Sequence, residues 1–102
     1  MPDNPLSAAI MIDPKVVDHM RATDDWVFSD GALSKKVKLL IAMAFDAAHG
    51  AVGGVRGLAQ RAIKEGATNE EIAEVLRVAY VMNGVGPIYI GSQGLKDVVK
   101  AT

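Results

Sequence analysis

Asp46 and His49 stand three residues apart in the stretch Lys38-Leu-Leu-Ile-Ala-Met-Ala-Phe-Asp-Ala-Ala-His-Gly-Ala-Val-Gly-Gly-Val55, which is otherwise apolar. On a helix that spacing puts both side chains on one face, one turn apart. A carboxylate and an imidazole among apolar neighbours must find partners, because burying an unpaired charge is costly. The chemistry they suggest is proton transfer. Asp46 would orient the imidazole and fix its tautomer, and His49 would act as general acid or base. Arg56 or Arg77 could hold a substrate carboxylate through two parallel hydrogen bonds, and Tyr80 could add a hydroxyl. Such a set suits a lyase or isomerase working without a metal or organic cofactor. The plainer alternative is that the pair secures a helix end or a subunit contact. His49 precedes Gly50 at a helix C-terminus, where a protonated histidine is favoured. The protein would then be a non-catalytic small-molecule binding module. A metal held by Asp46 and His49 is a third reading, but two ligands per chain are too few for a zinc-type site. His19 has no partner set in the sequence and reads as a surface or packing residue.

The helix that carries the pair begins after Ser34, a good N-cap. Leu39 to Phe45 leave it no polar face, which predicts a helix buried all round. Lys35, Lys36 and Lys38 in its first turns oppose the helix dipole and read as a solvated start, an anion site being the alternative. Gly50, Gly53 and Gly54 would end the helix and let backbone or ligand approach closely.

Around it the chain reads as helices throughout. Residues 1–13, with Pro2 and Pro5, predict an irregular N-terminal arm, mobile at its start, whose Ile10, Met11 and Ile12 could dock on the body or on a neighbouring subunit. Asp13-Pro14 is an N-cap followed by proline at the first helical position, opening a helix to about Phe28. Trp26 would anchor its packing or wall a pocket. A further helix runs from Val55 to Glu65. Thr68 and Glu71 form a capping box for the next, to Met82, which Asn83-Gly-Val-Gly-Pro87 stops. A last helix spans Ile88 to Lys100, weakened by Gly91 and Gly94.

The 102 residues suggest one domain, taken as residues 14–102 after the arm. Half of them are hydrophobic, and the mean hydropathy is +0.20. So much apolar surface on a short chain predicts burial against other copies. A net charge of −1 gives no basic patch for nucleic acid or polybasic run for a membrane surface. No stretch is long and apolar enough to span a bilayer, and no secretory signal is visible, so a cytoplasmic location is expected. The absence of cysteine excludes disulfides and thiol chemistry.

The run Asp30-Gly-Ala-Leu-Ser-Lys-Lys-Val-Lys-Leu-Leu-Ile-Ala-Met-Ala resembles the start of the core shared by the carboxymuconolactone decarboxylase-like and alkylhydroperoxidase-D-like superfamily. Ala62-Ile-Lys-Glu-Gly-Ala-Thr-Asn-Glu-Glu-Ile-Ala-Glu-Val-Leu76 resembles its second hallmark, and Gly84-Val-Gly-Pro87 the glycine break that follows. The resemblance covers about residues 26 to 98. It implies a compact all-α domain of about five helices, assembled as a homotrimer or homohexamer. In the peroxidase branch a Glu precedes a Cys-x-x-Cys-x-x-x-His motif. Those positions fall here on Leu39, Ala51, Gly54 and Leu58, so the resemblance does not carry a dithiol peroxidase cycle to this chain. The decarboxylase branch is similar in carrying a His where this chain has Leu58.

Overall fold

A computed structural model describes residues 4–99. Six helices follow one another: α1 (Ser7–Ile12), α2 (Pro14–Val27), α3 (Lys35–His49), α4 (Val52–Lys64), α5 (Asn69–Asn83) and α6 (Gly86–Leu95). Among the described residues there is no strand, and no helix long and apolar enough to cross a membrane.

Local chemistry sets most of the boundaries. Asp13 caps α2 by accepting from the Val16 amide, with Pro14 in the first turn. Ser34 accepts from the Val37 amide at 3.2 Å and opens α3. Gly50 closes α3 in the left-handed region, at φ 82°, and the Ala51 amide reaches back to the Asp46 carbonyl at 2.9 Å, the longer bond of a Schellman end. Thr68 and Glu71 cap α5 reciprocally. The Glu71 amide donates to Thr68 Oγ1 at 3.1 Å, and the Thr68 amide donates to Glu71 Oε1 at 2.9 Å.

The body is α3 to α6. Helix α3 packs most heavily on α4, then on α5 and α6. Leu39, Met43, Val55 and Ile72 are sealed at its centre, with Ala47, Ala59 and Ala62 where helices come close. The two α6 glycines are part of this packing. A Cβ on Gly94 would lie 2.7 Å from the Val55 side chain, and one on Gly91 2.8 Å from Leu76. They weaken α6 as a helix and allow it to sit against α4 and α5.

Helices α1 and α2 form an arm. α1 packs on α2 and buries none of its own residues. The arm is fastened near the end of α2, where the Arg61 guanidinium takes both Asp24 oxygens at 3.2 and 2.9 Å and lies 5.0 Å over the Phe28 ring. Phe28 in turn packs on the core.

Several expectations are corrected. Residues 7–12 are helical, so the N-terminal arm is not irregular there; its first three residues lie outside the described chain. α4 starts at Val52, which puts Gly53 and Gly54 inside its first turn instead of before it. α6 ends at Leu95, after which Asp97 takes φ 65°, and the expected end at Lys100 lies outside the described residues. Trp26 is 76% exposed and anchors nothing in this chain. The α3 lysines are tied rather than simply solvated: Lys36 to Glu71 at 2.9 Å, Lys35 to Glu65 at 4.0 Å, and Lys38 to the Ser29 carbonyl at 2.7 Å. Helix α3 is not buried all round either. Val37, Ile41 and Phe45 are exposed, Phe45 by 62%.

Candidate functional site

The end of α3 carries Asp46 and His49 to the start of α4, because the Schellman turn at Gly50 reverses the chain within two residues. Asp46 is half-buried and packs directly over Gly54. A Cβ at position 54 would collide with the Asp46 carboxylate, so only glycine leaves that carboxylate its place. The carboxylate therefore lies beside the first turn of α4. The positive end of the helix dipole favours its charge there, and the leading amides have no partner within the helix. Ala51, the N-cap residue, supplies no side-chain cap. Among the described residues Asp46 has no hydrogen-bonded or ion-paired side-chain partner.

His49 shares the helix face with Asp46 but no hydrogen bond. Its ring is exposed and stacks on Phe45, centroids 6.4 Å apart and 28° between planes. Arg56, on α4, is half-buried and donates a long 3.5 Å hydrogen bond to the Gln93 carbonyl of α6. Arg77 and Tyr80 are exposed on α5, one turn apart. Tyr80 follows Leu76 by four residues and so lies on the α6 side of α5, since Leu76 is what approaches Gly91. No two of these five side chains are joined by a hydrogen bond or ion pair. The single chain thus places Asp46 in a defined setting and leaves the other four apart from it. Among the described residues no three His, Asp or Glu side chains gather in a way that could hold a metal.

Sequence reasoning read Phe45 as core; the structure makes it a ridge between grooves. One, of about 460 Å³, runs between α3 and α5 past Val37, Ile41, Ala44 and Val78, with Glu71 and Glu74 on its rim. A second, of about 280 Å³, continues past Ala48, Val78 and Met82. A third, of about 360 Å³, separates Phe45 and Ile41 from Val27 and Phe28. The signal that could have found them is the excess of apolar positions on α3, more than one helical face can bury inside a domain of this size.

Glu71 shows what a fully used carboxylate looks like here. The Lys36 ammonium first, and the Thr68 amide second, hold its carboxyl below the ordinary value.

Three comparisons bear on this fold and site. The sequence profile of the carboxymuconolactone decarboxylase family matches residues 14–88. A crystal structure of a carboxymuconolactone decarboxylase family protein from Legionella pneumophila, in its apo form, superposes with a TM-score of 0.82 at 31% identity, over 89% of this chain and 81% of that one. The uncharacterized protein 4 in the cox locus of Paracoccus denitrificans is 42% identical over 65 residues, which are 64% of this chain and 59% of that protein's length. Sequence match and fold agree: the chain belongs to the carboxymuconolactone decarboxylase family.

Proposed function

We propose that this chain is a homo-oligomeric, cytoplasmic small-molecule binder on the carboxymuconolactone decarboxylase fold, with Asp46 as the polar group of its site. One observation carries the reading. Where the peroxidase pattern would set its second sulfur, the chain has Gly54, and the Asp46 carboxylate lies over it without a partner among the described residues. A half-buried carboxylate beside a helix N-terminus offers oxygens that accept hydrogen bonds. It suits a small carboxylated or lactone-like molecule that can also donate a hydroxyl. With no cysteine in the chain, a dithiol cycle has no nucleophile.

The test is a thermal-shift survey with small hydroxy-acids, aromatic acids and lactones, with ligand integrity followed by NMR. A binder is stabilised by about 1.4 kcal/mol at tenfold excess over Kd, several degrees in Tm for a domain of this size, and leaves the ligand intact. Asp46→Asn should remove that shift. A shift that survives the substitution would sink the assignment to Asp46.

The catalytic reading rests on a second observation, that Asp46 and His49 are one turn apart on α3. In it His49 leaves Phe45 and takes up Asp46 when substrate binds, with Arg56, Arg77 or Tyr80 holding the substrate in the assembled oligomer. Turnover of any compound in the survey, lost in His49→Ala, would establish it. Unchanged turnover in that variant would remove His49 from the mechanism.

A further inference from the structure

We propose that the α1–α2 arm of one copy seats its Met11 and Ile12 in the apolar groove beside Phe45, between α3 and α5, of a second copy. This rests on the homo-oligomer reading and adds which two surfaces meet.

The arm offers apolar side chains with nowhere to go in its own chain. Met11 is 83% and Ile12 85% exposed. A six-residue helix is too short to persist by its own hydrogen bonds, and α1 buries no residue of its own to compensate. The arm cannot reach its own groove without being rebuilt. Its far end is fastened by the Asp24–Arg61 pair, and α1 packs on α2. Along α2, Val16, Met20 and Val27 are exposed at helical spacing, so the apolar surface continues from α1 toward α3.

The groove is the matching half. It is lined mostly by aliphatic side chains and by Phe45, and its rim carries Glu74, which has no ion-pair partner among the described residues. Lys15, in the first turn of α2 three residues after Ile12, likewise has none. Each surface thus sets one such charge beside its apolar residues, and the two charges are of opposite sign.

The size of the uncovered surface points the same way. The chain exposes 7112 Å², against about 5,500 Å² for a folded monomer of its mass. The excess is on the scale of one or two faces of a standard interface, each about 800 Å². The radius of gyration is 14.5 Å where a compact chain of this length has about 13 Å, as an extended arm requires. Arm and groove are different patches of one chain, so the contact joins unlike surfaces and propagates around a ring if its rotation closes.

Light scattering on the eluting full chain tests this. The wild type should run as a multiple of 10.8 kDa. Met11→Glu with Ile12→Glu, and separately Phe45→Glu, should each fall to the mass of one chain at unchanged helix content. The arm substitutions reach no packed atom of their own chain, and Val78→Glu provides a second groove variant should Phe45→Glu fold poorly. Mixing an arm variant with a groove variant should restore a two-chain species, because one intact arm then meets one intact groove. A wild-type monomer would overturn the oligomer reading and this contact with it. An oligomer that survives the arm substitutions would overturn the arm-in-groove contact alone. So would two dissociated variants that fail to recombine, since arms would then pair with arms or grooves with grooves.

Discussion

Helices α4 and α5 both begin beside a carboxylate, and the two ends differ in every other respect. At α5, Glu71 takes the Thr68 amide, returns its own amide to the Thr68 hydroxyl, and receives the Lys36 ammonium from α3. At α4, Asp46 is brought over from α3 by the Gly50 turn, rests on Gly54, and has no hydrogen-bonded or ion-paired side-chain partner among the described residues. The first end is closed chemistry and accounts for itself as stability. The second is a charge delivered to a place where the chain makes no use of it. A glycine at 54 gives up helix stability of the order of 1 kcal/mol relative to alanine, and keeps that place open.

The strongest way to break the comparison is to close the second end sterically. Gly54→Val should destabilise by about 1–3 kcal/mol, read by urea unfolding, because the new side chain enters the space of the Asp46 carboxylate. Asp46→Ala in the same chain should return much of that loss, and the double-mutant cycle measures how much. If Gly54→Val costs the same with Asp46 shortened, the glycine serves something other than the carboxylate.

Opening the first end should matter less. Thr68→Ala removes one arm of the capping box and should cost about 1 kcal/mol. Below that comes the Glu71 charge. Its carboxyl is held below the ordinary 4.5 by Lys36 and by the Thr68 amide, so the folded state binds that proton less readily than the unfolded chain. Its contribution is therefore present above pH 4.5 and lost as the pH falls from there through the lower folded value. Glu71→Gln should flatten the acid limb of the melting curve. An identical limb in both proteins would mean that Lys36 and Thr68 leave no net preference for the charged form.

Much of this contrast was legible in the residue order. The capping box, the Asp13-Pro14 and Ser34 starts and a helix end at Gly50 are local signals, and local hydrogen bonds decide them. That a glycine near Asp46 would admit a close approach was also readable. What the order of residues does not carry is direction between helices. Asp46 and His49 are neighbours on α3, yet one turns toward Gly54 and the other onto Phe45. Periodicity places Arg56, Arg77 and Tyr80 on helices without saying which helix each edge faces. Glycine reads as a helix breaker at positions 53 and 54 and as a weak point within the last helix at 91 and 94, while in the structure 53 and 54 lie within α4 and 54, 91 and 94 are contact points. Phe45 and Trp26 read as packing residues because large apolar side chains usually are. In the structure Trp26 is 76% and Phe45 62% exposed.

The smallest effect is the most telling. Asp46→Asn keeps the size and shape of the side chain and removes only the charge. If the carboxylate serves a ligand, stability without ligand should change by no more than about 0.5 kcal/mol, because no partner within the chain loses a bond. The melting temperature should also lose its response to the small acids and lactones that shift the wild type. The matched change at the other end, Glu71→Gln, should behave oppositely, altering the acid limb and leaving ligand response intact. Should Asp46→Asn instead unfold the protein as readily as Thr68→Ala, the carboxylate would be a cap for α4 acting through the dipole and the leading amides. The two helix ends would then be one device used twice, and the search for a ligand would move to the grooves beside Phe45.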